Sequence, residues 1–128
     1  MEVIIRPNAE SAVKLTAKLI ADSLRAKPDT TIGLATGRTM EALYAELSRM
    51  NKEENLDFSL AKTFNLDEYI GLPAENVNSY RYYMNFHLFN NINIDKRNTH
   101  LPNGMAADDK AEAARYEEEI KHAGGIDI

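Results

Sequence analysis

Apolar positions along the chain alternate between short unbroken runs and stripes at helical spacing. Val3, Ile4 and Ile5 form the first run and predict a strand, and Pro7-Asn8 then breaks it and offers a helix cap. Over residues 9–26, Val13, Ala17, Ile20 and Leu24 recur on one face, with Leu15 and Leu19 widening it, so one amphipathic helix is expected, stopped by Pro28. Residues 31–35 are apolar with little polar alternation, as in a parallel strand covered on both faces. Leu43, Tyr44 and Leu47 predict a second helix over residues 40–51, with Thr39 as its N-cap. Residues 62–66 read as a further strand, followed by a loop marked by Gly71 and Pro73 and a helix over residues 79–89. Beyond a short extended piece at Thr99-His100-Leu101 and a Pro102-Asn103-Gly104 turn lies an acidic, alanine-rich helix over residues 108–122. Gly124 suits its C-cap, and Ile126 and Ile128 begin another strand.

Strand-helix alternation of this kind predicts an α/β fold: an open, mostly parallel sheet with flanking helices, Rossmann-like, as one domain over residues 1–128. In such sheets ligands bind beyond the carboxyl ends of the strands. Two turns stand at those ends, Thr36-Gly37-Arg38-Thr39 and Leu66-Asp67-Glu68-Tyr69.

The first turn joins a strand to a helix with small hydroxyl residues, a glycine and an arginine. It can offer backbone N–H groups, the threonine hydroxyls, the positive end of the helix dipole and the Arg38 guanidinium to a phosphate. The same residues also suit a plain tight turn with a threonine cap. In the second turn Asp67 and Glu68 are neighbours in extended chain and point to opposite faces. One is expected to face a ligand as general base and the other to make structural hydrogen bonds. Partial desolvation by Phe64, Leu66 and Tyr69 would suit such a carboxylate to proton abstraction. The alternative is a loop acid that caps the next turn.

Composition narrows the field. A formal net charge of -5, with basic residues scattered among acids, argues against nucleic-acid binding. The chain has no cysteine, no long apolar run and no secretory signal at its start, so a cytoplasmic protein without membrane span is expected. His87, His100 and His122 lack metal-ligand spacing, and neither metal nor cofactor is expected. Tyr80, Tyr82, Tyr83, Phe86 and Phe89 are read as core packing, and Glu117-Glu118-Glu119 as a solvated helix face.

Taken together, residues 33–39, the run Phe64-Asn65-Leu66-Asp67-Glu68-Tyr69-Ile70-Gly71-Leu72-Pro73 and Ser79-Tyr80 resemble the glucosamine/galactosamine-6-phosphate isomerase family along essentially the whole chain. The second run separates it from the related 6-phosphogluconolactonases. The resemblance implies conversion of glucosamine 6-phosphate to fructose 6-phosphate plus ammonia, with a small sugar phosphate as ligand. Asp67 would move a proton between C1 and C2, with Thr36, Gly37, Arg38 and Thr39 along the phosphate and Glu68 beside the substrate. Where the family usually has Gly-Gly-Thr-Pro, this chain has Gly37-Arg38-Thr39-Met40. The family's chains are longer, so the resemblance implies a truncated, amino-terminal half. The segment carrying the ring-opening histidine would follow Ile128, little turnover is expected, and an open sheet edge would favour self-association into homo-oligomers. A galactosamine-6-phosphate isomerase and a non-catalytic sugar-phosphate-binding module are the alternatives.

Overall fold

The computed structural model describes residues 3–128. Its centre is a parallel sheet of β1 (Thr31–Leu34), β2 (Lys62–Asn65) and β3 (Thr99–His100), in that spatial order. Leu34 pairs with Asn65, and Phe64 with His100. Residues 126–128 run beside the other edge of β1, where Asp127 N–H donates to Thr31 C=O at 2.9 Å and Gly33 N–H to Ile128 C=O at 2.8 Å. The strand expected at Ile126 and Ile128 thus has its ladder bonds begun.

On one face lie α1 (Ala9–Ala26), α2 (Arg38–Glu53) and α3 (Tyr80–Met84), the last continued by a π turn over Asn85–Phe89. Asn8 caps α1 as expected, its side chain accepting from Ser11 N–H at 2.8 Å. Ala17, Ile20 and Leu24 are buried as their spacing requires, against a core that includes Ile32, Leu34, Leu47, Met84, Leu88 and Phe89. Each fully buried large side chain there contributes about 1.5–3 kcal/mol of transfer free energy. Among the described helices, α4 (Asp109–His122), capped by the Asp108 side chain, lies on the opposite face. Its Tyr116 seals that side: the ring meets Phe64 edge-on at 5.8 Å, and its hydroxyl donates to the carbonyls of Asn65 at 2.7 Å and His100 at 3.1 Å. Phe64 in turn stacks on His100 at 4.5 Å.

Three expectations are corrected. Residues 3–5 form no strand, and Val3 and Ile5 are 71% and 88% exposed. An apolar run becomes a strand only where a neighbour pairs its backbone, and none of the described residues does so here. The second helix starts at Arg38, with Gly37 rather than Thr39 as N-cap. Gly37 has φ 109°, a conformation open to glycine, so the chain turns into the helix two residues before the expected start. The segment over residues 79–89 is helical but widens into the π turn, closed by Asn90 N–H on Asn85 C=O at 3.0 Å, which lets adjacent Leu88 and Phe89 both face the core.

Candidate active site

Because Leu34 and Asn65 are paired across β1 and β2, the turns that follow leave the sheet side by side, about 4.8 Å apart at their roots. The structure therefore brings the Thr36–Thr39 turn and the Asp67–Glu68 turn to one edge of the fold. The first is held from behind by two phenols. Tyr44, fully buried on α2, donates to Ala35 C=O, and Tyr83 on α3 donates to Gly37 C=O at 2.8 Å. Met40 N–H also donates to Gly37 C=O, at 2.9 Å. Burial pushes the Tyr44 hydroxyl's pKa upward, so it stays a donor. Thr36 is half-buried, whereas Gly37, Arg38 and Thr39 are exposed.

The second turn divides its two acids. Glu68 Oε1 accepts from the N–H groups of Tyr69 at 2.8 Å and Tyr80 at 2.9 Å, and Oε2 accepts from Arg81 N–H at 2.9 Å. Its carboxylate therefore caps α3 together with the Ser79 side chain, which accepts from Tyr82 N–H at 3.0 Å. Of the two acids, Glu68 takes the structural bonds. Asp67 is exposed and makes no hydrogen bond among the described residues. The desolvation expected around it is missing, since Leu66 is 83% exposed and Tyr69 49%. The Tyr69 ring packs instead against Tyr80, with centroids 4.6 Å apart and planes tilted by 40°.

The acid turn is braced by the turn at Gly104. A side-chain carbon at Gly104 would lie 2.2 Å from Tyr69 C=O and 2.8 Å from Leu72 C=O, so only glycine permits this approach. Gly71 N–H donates to Gly104 C=O at 2.7 Å. Asp67 opens onto a cleft of about 360 Å³ whose walls include Ile70, Asn103, Glu112 and Tyr116. A neighbouring cleft of about 460 Å³ lies over Gly33, Ala35, Met40 and Asn65, and both share Leu66, Tyr116 and Glu117. The Arg115 guanidinium, helped by the Asn103 N–H, holds the Glu112 carboxyl down to about 2. Among the described residues no cluster of His, Asp and Glu is arranged to hold a metal ion.

Residues 7–128 match the model of the family described as glucosamine-6-phosphate isomerases/6-phosphogluconolactonase. The chain belongs to this family. Within it, the glucosamine-6-phosphate deaminase of Thermoanaerobacter sp. (strain X514) is 48% identical over 128 residues, all of this chain and 51% of that protein. The glucosamine-6-phosphate deaminase of Clostridium botulinum (strain Hall / ATCC 3502 / NCTC 13319 / Type A) is also 48% identical, with 52% of its length covered. A solved structure of a monomeric glucosamine-6-phosphate deaminase superposes with a TM-score of 0.96 at 40% identity, covering 99% of this chain and 53% of that one. A 6-phosphogluconolactonase from Thermotoga maritima shares the fold, at a TM-score of 0.73 and 20% identity over 95% of this chain and 53% of its own. The chain spans about half the length of the curated relatives it matches. In this family setting the parts that sequence reading missed are the Tyr44 and Tyr83 clamps and the Gly104 brace. Tyr44 and Tyr83 carried only a packing signal and Gly104 only a turn signal, since hydroxyl direction and backbone approach depend on tertiary placement.

Proposed function

We propose that this chain supplies the phosphate turn and the proton-transfer carboxylate of an amino-sugar-phosphate isomerase/deaminase acting on glucosamine 6-phosphate. The observation that carries the reading is the placement of the two turns on paired strand ends, one rich in free donors and the other presenting Asp67 with its carboxylate uncommitted. Free N–H groups at the start of α2, the hydroxyls of Thr36 and Thr39 and the Arg38 guanidinium suit the phosphate dianion. Asp67 takes the C2 proton of the open-chain amino sugar and returns it to C1, and hydrolysis of the resulting C2 imine releases ammonia and fructose 6-phosphate. Glu68 serves by holding the turn that carries Asp67, because its own oxygens already accept three backbone N–H bonds.

Under this reading residues 1–128 are the amino-terminal portion of one catalytic domain, and self-association is its expected solution behaviour. The cysteine-free composition fits a reducing, cytoplasmic setting. The test is deuterium exchange into C1 of fructose 6-phosphate with ammonium in D₂O, for the wild-type chain and Asp67→Asn. Exchange that disappears in the variant supports the assignment. Exchange that proceeds at the same measurable rate in both overturns it.

A further inference from the structure

The peptide group is planar and trans, so the C=O of one residue and the N–H of the next point in opposite directions. Holding one therefore aims the other. Tyr83 pulls the Gly37 carbonyl toward α3, across 46 residues of sequence, and so turns the Arg38 N–H away from the helices. On the other side of the turn Tyr44 holds the Ala35 carbonyl and aims the Thr36 N–H in the same manner. Neither the Thr36 nor the Arg38 N–H has a backbone partner among the described residues, and no side chain caps α2.

Gly37 is the point at which this control matters. Glycine has the widest choice of backbone angles, and with φ 109° and ψ 162° the peptide after it has little local reason to keep one orientation. The Met40 N–H bond to the same carbonyl belongs to the first helical turn and moves with it. The Tyr83 bond comes from a different element. That element is stiffened where it matters: the Tyr83 ring packs on His87 of the π turn at 4.3 Å, and His87 meets Phe86 at 5.0 Å. Burial, with the Glu41 carboxylate adding to it, raises the pKa of the Tyr83 hydroxyl, which keeps its proton for donation.

We propose that Tyr83 is a positioning residue for phosphate recognition, which through the Gly37 carbonyl aims the Arg38 N–H at the phosphate of the bound sugar. The inference rests on the reading of residues 36–39 as the phosphate turn, and it assigns Tyr83 no contact with the sugar. Tyr44 does the same for Thr36 but is also a fully buried core residue, so Tyr83 is the one that can be tested cleanly.

The variant is Tyr83→Phe, which keeps the ring and its stacking on His87 and deletes only the hydroxyl. Glucosamine 6-phosphate and inorganic phosphate are titrated into the ¹⁵N-labelled chain, following the Arg38 amide resonance and the dissociation constants. Wild-type chain is expected to show a large Arg38 shift on binding either phosphate. Tyr83→Phe is expected to bind both about five- to tenfold more weakly, the loss that one net hydrogen bond from the Arg38 N–H carries, with a reduced Arg38 shift and a melting temperature lowered by about 5 °C at most. Tyr82→Phe, an exposed hydroxyl without a bond to the turn, is expected to bind as wild type does. Equal affinity and an equal Arg38 shift in wild type and Tyr83→Phe would overturn the role of Tyr83 while leaving the phosphate turn intact. A wild-type Arg38 amide indifferent to both phosphates would overturn the phosphate turn itself.

Discussion

Asp67 and Glu68 are adjacent acids for which opposite phenotypes are expected. Glu68 accepts three backbone N–H bonds of 2.8–2.9 Å, two of them from the first turn of α3. Hydrogen bonds to a charged group are each worth about 1.5–3 kcal/mol net, but water replaces part of the loss in a half-exposed loop, and a lost cap usually costs about 0.5–2 kcal/mol. For Glu68→Ala the expectation is a destabilisation of about 2–4 kcal/mol, or a fall in melting temperature of about 10 °C for a chain of this size. Glu68→Gln keeps an acceptor oxygen and loses the charge, and should fall about midway between the two. Asp67→Asn, at an exposed position without hydrogen bonds, should change stability by less than about 0.5 kcal/mol. Urea unfolding followed by far-UV circular dichroism gives these values from the midpoints, provided the slope is unchanged. A structural role for Glu68 is refuted if Glu68→Ala unfolds with the wild-type midpoint, or if Asp67→Asn loses as much stability as Glu68→Ala.

Gly104→Ala should destabilise the chain by about 1–3 kcal/mol through overpacking, because its side chain would meet the Tyr69 carbonyl at 2.2 Å. Amide exchange over residues 68–72 should rise with it, and unchanged protection there would count against the brace. Glu112 sets an acid limit. Its folded-state pKa of about 2 lies below its ordinary value of 4.5, so the stability it contributes is present above about pH 4.5 and is lost as pH falls toward 2. In unfolding titrations against pH, the difference between wild type and Glu112→Gln should therefore shrink across that window. A constant difference would show that the Arg115 pairing has no such effect.

Legibility from sequence followed the range over which each feature is decided. The stripe Ala17, Ile20 and Leu24 is written at helical spacing and was buried as read, and Asn8 caps its helix through a bond three residues away. The positions of both site turns were readable because each directly follows an apolar strand. Residues 3–5 carry as good a strand signal as β1, but pairing is decided by neighbours far along the chain, and none of the described residues offers one there. The exposure of Asp67 has the same origin, since desolvation depends on which surfaces pack over the loop and not on the apolar character of Leu66 and Tyr69. That one of the two acids makes structural hydrogen bonds was legible in kind. That it is Glu68 was set by the α3 backbone amides coming to rest beside it.

The two paired strands and the helix between them have a consequence for how the site is assembled. β1, α2 and β2 are consecutive, so residues 31–67 carry both turns within one βαβ unit. The chain need close only this single crossover for the turn at residues 36–39 and Asp67 to reach their final separation, which keeps the loop-closure cost of the arrangement small. Tyr83, the helix amides that hold Glu68 and the Gly104 turn reach the two turns from further along the chain. Substitutions at those braces should therefore loosen the turns while the pairing of β1 with β2 persists.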